Sequence, residues 1–70
     1  MVREYLVVVR DFQWWVLIDG VRWGPYLSSA VAEASAISLA KLDARAGQRS
    51  RVSMEEDHLR IVYDSETAGR

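Results

Sequence analysis

The chain predicts an α+β fold: a three-stranded antiparallel β-meander, one α-helix packed on one face, and a C-terminal strand or hairpin, in the order βββαββ. Three observations predict it. Two runs rich in β-branched and aromatic residues, YLVVV and WWVLI, stand close together near the N-terminus. The Asp19-Gly20 dipeptide that follows the second run suits a two-residue type I′ turn, whose central positions both need positive φ. Then comes an alanine-rich segment that opens on Ser28-Ser29 and stops at Gly47, as a capped helix does.

Taken in order, residues 5–10 form the first strand and residues 14–19 the second, with Asp11-Phe12-Gln13 as the break between them. Val21-Arg22-Trp23 completes the meander, and Gly24-Pro25 ends it, because proline has no N–H to give a ladder. The helix spans residues 30–46. Its spacing places Val31, Ala34, Ser35, Ser38, Leu39, Leu42 and Ala46 on the stripe towards the sheet, with Glu33, Ala36, Ala40 and Asp43 turned away. Lys41 and Arg45 lie where the helix dipole favours positive charge. Val52 and Met54 then alternate, Glu55-Glu56-Asp57 turn, and residues 59–63 form the last strand. The whole is one domain over residues 1–70, ordered over about 4–64, with a polar, frayed tail at 65–70.

At 70 residues the chain is near the small end of what folds unaided. It has no cysteine, so neither disulfides nor thiolate metal sites add stability, and packing or self-association must supply it. Nine basic residues, eight of them Arg, face ten acidic ones; the net charge of −1 gives no overall attraction to phosphate or anionic lipid. The longest apolar runs are five residues, far short of the ~20 that span a bilayer, and the N-terminus lacks signal-peptide features. The expected setting is the cytoplasm, away from membranes.

Alternation along the strands carries the main functional inference. Tyr5, Val7 and Val9 share one side of the first strand, and Leu6, Val8 and Arg10 the other. In the second strand Trp14, Val16 and Ile18 oppose Trp15, Leu17 and Asp19. Both faces are therefore apolar, whereas an antiparallel sheet with one wet face alternates cleanly between apolar and polar. One helix covers one face, so Leu6, Val8, Trp15 and Leu17, or their opposites, are expected to meet another molecule. A symmetric homodimer is the simplest answer.

For the three tryptophans, burial in core or interface stands against an aromatic platform that stacks bases or sugars. A nucleic-acid-binding module using that platform with Arg10, Arg22, Arg49 and Arg51 is the alternative to protein contact, although Asp11 and Asp19 offset Arg10 and Arg22. His58 is the only histidine. One imidazole beside Asp57 falls short of the three or four converging ligands of a metal site, and the serines have no nucleophile-elbow context. No catalytic, cofactor or metal site is expected.

The order from YLVVVRDFQWWVLIDG through the capped helix to RVSM and LRIVY resembles the small bacterial DUF2188-type domains. The matching positions are Trp14 or Trp15 with Val16, Gly20, Ser28-Ser29, Ala34, Val52 and Met54, over about residues 5–63. That resemblance implies a strand, a Trp-bearing strand, a turn, a capped Ala-rich helix and a closing strand, and brings no activity with it. The strand–strand–helix order with an Ala-rich helix is also similar to HicB-type antitoxin modules, which implies a protein partner. The expectation is thus a non-catalytic protein-interaction domain.

Overall fold

The computed structural model describes residues 1–68, and the fold is α+β. Its strands are β1 (Arg3–Arg10), β2 (Gln13–Ile18), β3 (Val21–Tyr26), β4 (Ser50–Glu55) and β5 (Leu59–Asp64). The main helix α1 (Ser29–Arg45) lies between β3 and β4, and one short turn of helix, α2 (Ser65–Ala68), follows β5. The five strands form one sheet in the order β3-β2-β1-β4-β5.

The meander and the closing hairpin both form, but the sheet is mixed, because β1 pairs parallel with β4. That pairing corrects the all-antiparallel expectation. It follows from α1, which carries the chain back along the sheet so that β4 starts at the same end as β1 and lies beside it. β1 and β4 become inner strands. Hence β4 is the more buried strand of its hairpin, with Ser50, Val52, Ser53 and Met54 all buried.

β3 runs on through Gly24-Pro25 instead of ending at Trp23. It can do so as an edge strand, where the missing N–H faces no neighbour. The extra residue is absorbed by a register shift between Trp14↔Tyr26 and Val16↔Trp23. Gly24 is required there: its φ is +125°, and a Cβ would come within 3.2 Å of the Trp14 carbonyl oxygen.

Ser28 caps α1, its Oγ accepting from the Val31 N–H at 3.2 Å, and Gly47 follows the end of the helix with φ +85°. The face that α1 buries is the reverse of the one its spacing predicts. Ala32, Ala36 and Ala40 have no exposed surface, while Val31, Leu39 and Leu42 are 44%, 40% and 56% exposed. Three small side chains at four-residue spacing let the helix backbone come close to the sheet, a contact that larger side chains would hold apart. Against them pack Tyr5, Val7, Val16, Val52 and Met54, with Trp14, Ile18, Tyr26, Ile37, Val62 and Tyr63 around the margin.

Asp43, on the same stripe, also turns inward. It accepts from the Tyr5 hydroxyl, from Ser50 Oγ at 2.9 Å and from Arg3 Nη1 at 3.2 Å. A largely buried carboxylate needs such donors, and these tie the end of α1 to β1 and β4. Burial, and then the bond to Asp43, push the Tyr5 hydroxyl above its ordinary pKa.

The frayed tail expected at 65–70 is replaced, as far as residue 68, by α2; residues 69 and 70 lie outside the described residues. Asp64 Oδ1 accepts from the Glu66 N–H at 3.0 Å, and Ser65 Oγ accepts from the Ser50 N–H at 2.9 Å, which fastens the turn to β4.

The close contact makes a pair of opposite predictions. Ala36→Leu overfills the helix–sheet seam and lowers the unfolding free energy by about 1–3 kcal/mol in urea melts. Leu42→Ala, on the side a spacing argument would bury, changes it by no more than about 0.5 kcal/mol.

Candidate interaction surface on the open sheet face

Strand pairing sorts the predicted interface residues onto one face. Cα partners across the sheet run Arg22–Leu17–Leu6–Ser53–Ile61 in one row and Trp15–Val8–Glu55–Leu59 in the next. A third row at the far end pairs Glu4 with Arg51 and Arg51 with Asp64. Trp14, Val16 and Ile18 belong to the helix-covered core, so Leu6, Val8, Trp15 and Leu17 form the side that α1 leaves open. Trp14 and Trp15 therefore part company across the sheet, as alternation requires.

This face is not bare. The Arg22 guanidinium lies 4.3 Å from the centroid of the Trp15 ring, a cation–π contact that also shields the ring from water. Trp15 Nε1 donates to the Arg10 carbonyl oxygen at 3.2 Å, which fixes the ring's orientation. Arg10 pairs with Glu55 at 3.3 Å, and Arg51 with Glu4 at 2.6 Å. Val8 is completely buried within this surround, so it supports the surface and does not itself reach outward. Leu6, Trp15 and Leu17 remain half-buried.

The apolar strip extends further than the sequence reading placed it. Leu59 and Ile61 of β5 are 62% and 56% exposed and lie in the same two rows. Their membership depends on the β1–β4 register, which no local pattern reveals; the alternation in HLRIVY was the available signal.

The arginines of the nucleic-acid alternative are placed as follows. Arg10, Arg22 and Arg51 all project onto this face, while Arg49 lies in the loop before β4, paired with Asp64 at 3.2 Å and with Glu66 at 2.5 Å. Three of the four are thus matched to carboxylates, and Arg22 is laid on Trp15. The bond from Arg51 holds the Glu4 carboxyl below its ordinary pKa, and the bond from Arg49 does the same for Asp64. His58 is exposed in the β4–β5 turn. Among the described residues, no three His, Cys, Asp or Glu side chains converge as metal ligands, and no helix is long and apolar enough to cross a membrane.

A second apolar feature follows from the inverted helix. Tyr5, Ile18, Trp23, Tyr26 and Leu39, with Arg3 and Asp43, line a groove of ≈ 350 Å³ between α1 and the β2–β3 side of the sheet. Trp23 is 54% exposed there, so of the three indole rings it is the one most open to solvent.

Comparison of the chain with protein-family models, with curated proteins and with solved structures finds no match.

The Glu4–Arg51 pair sets a pH dependence. Because the folded-state pKa of Glu4 is lowered, its contribution is complete above the ordinary glutamate value of about 4.3 and is lost as pH falls through the depressed value. Glu4→Gln should therefore lower stability modestly at neutral pH and flatten the acid-side fall, so that the two proteins converge as Glu4 becomes protonated. Urea melts of both proteins along a pH series from neutral to acid test this, and added salt should narrow the difference.

Proposed function

We propose that the chain is a non-catalytic protein-interaction module of the cytoplasm whose open sheet face meets a second copy of itself. The observation that carries this reading is the strip Leu6–Leu17–Trp15–Leu59–Ile61, apolar and partly wet on a face that no element among the described residues covers. A small domain with scarce core gains from burying such a strip.

The charges on the face favour a like partner. Its two cross-strand ion pairs, Arg10–Glu55 and Arg51–Glu4, are each neutral, so beyond Arg22, which lies on Trp15, two copies bring little excess of one sign together. Both signs are present for exchange across a two-fold axis. The molecule measures 35 × 20 × 19 Å, and its broad side is of the size that a stable interface takes, about 800 Å² per partner. The pairing of the arginines with carboxylates weighs against phosphate as the ligand.

Sedimentation velocity at micromolar concentration should give a dimer, and Leu17→Glu or Ile61→Glu should give a folded monomer. A wild-type protein that stays monomeric under those conditions overturns the reading. So does oligonucleotide binding that tightens as salt falls, which would assign the face to nucleic acid.

A further inference from the structure

The two hairpin turns of the meander have the same backbone and very different residues. Asp19-Gly20 joins β2 to β3 with φ +50° and +80°, the conformation for which Asp-Gly is suited. Asp11-Phe12 joins β1 to β2 with φ +55° and +62°. A bulky aromatic residue in the left-handed region is strained, because its Cβ crowds the backbone. Phe12 gains nothing from packing in return, since it is 103% exposed. Glycine solves the same turn eight residues later, so the fold does not ask for a phenylalanine here.

The surroundings of Phe12 indicate what it serves. Leu27, which follows the end of β3 at Tyr26, the residue paired with Trp14, is 97% exposed at the same end of the sheet. Leu59, at the start of β5 opposite Glu55, reaches that end too. Around them stand Asp11, Glu56 and Asp57, exposed and in no ion pair among the described residues, while Arg10 is already matched to Glu55. At the other end of the molecule Arg3, Arg49 and Arg51 are each matched to a carboxylate, Asp43, Asp64 and Glu4. This end is therefore apolar at its tips and acidic at its rim.

We infer that the Phe12 end of the sheet is a docking end for a different protein, one whose contact surface is apolar and rimmed with Lys or Arg, with the Phe12 ring as the anchor inserted into it. The acidic rim repels nucleic acid, anionic lipid and the same end of a second copy, and attracts a cationic apolar surface. An exposed aromatic ring on a rigid turn is the kind of side chain that dominates such contacts. Phe12 and Leu27 lie outside the strip on the open sheet face, which this surface meets only at Leu59.

The test uses an amphipathic helical peptide with Leu on one side and Lys on the other, titrated into isotope-labelled protein and followed by NMR. The same peptide with Glu for Lys is the control. Shifts centred on Phe12, Leu27 and Asp57 with the Lys peptide alone, weakening as salt rises, are expected. Phe12→Gly should weaken binding about tenfold or more while raising the melting temperature by about 4–8 °C, since it relieves the turn. Phe12→Ala, which keeps a Cβ in the turn, should lose the binding without that rise. Equal binding of the Glu peptide, shifts centred on Leu6 and Leu17, or unchanged affinity in Phe12→Gly would each overturn the proposal. Self-association that Phe12→Gly abolishes and Leu17→Glu leaves intact would assign this end to another surface of a second copy, and would overturn it as well.

Discussion

Everything in this fold depends on how closely α1 can approach the sheet. Ala32, Ala36 and Ala40 add little apolar area of their own, yet they are the residues with no exposed surface. Their value lies in what they permit: the helix backbone comes near enough for Tyr5, Val7, Val16, Val52 and Met54 to be sealed beneath it. The same geometry draws Asp43 inward, one turn beyond Ala40, where a carboxylate is costly unless donors reach it. Arg3, Tyr5 and Ser50 provide those donors from two different strands. A hydrophobic seam and a polar lock thus fix one orientation of the helix together.

With α1 committed to one face, the parallel β1–β4 pair creates a difficulty on the other. Parallel strands are usually covered on both sides, and the described residues hold no second long helix to supply cover. Side chains of the sheet's own strands do part of that work. Arg22 lies along Trp15, and the Arg10–Glu55 and Arg51–Glu4 pairs bridge neighbouring strands. Arginine suits this role because its apolar stem and planar head cover carbon while the charge stays wet. The cover is dense enough to dry Val8 completely and stops short of Leu59 and Ile61. A monomer can therefore hold its fold while leaving an apolar margin that association would bury.

Much of the fold was legible because local chemistry states it directly. Asp19-Gly20, Ser28 and Gly47 mark their turn and caps by what each backbone position demands, and period-two alternation assigned Leu6, Val8, Trp15 and Leu17 to a single face. The inner face of α1 was misread because periodicity weighs apolar size, whereas the seam selects for closeness. Alanine at 32, 36 and 40 carries no size, so Val31, Leu39 and Leu42 outweighed it. Parallel pairing of β1 with β4 was hidden for another reason: it joins segments more than forty residues apart and leaves no local mark. Without that register Leu59 and Ile61 cannot be assigned to the open face, and the site appears smaller than it is.

The Asp11-Phe12 turn shows how an illegible position can be the informative one. A sequence specifies a fold best where local preference and global structure agree, and Asp19-Gly20 is such a place. At Phe12 they disagree: the backbone requires positive φ, the side chain resists it, and no packing compensates because the ring is in solvent. In the sequence this residue read as an unremarked break between strands. Only the turn geometry turns it into a local conflict, and the conflict has no structural reason among the described residues. The fold's other departures from local rule each resolve internally, Gly24-Pro25 through an edge-strand bulge and Asp43 through three donors. Among the described residues Phe12 does not, and a surface outside the molecule is the resolution proposed for it.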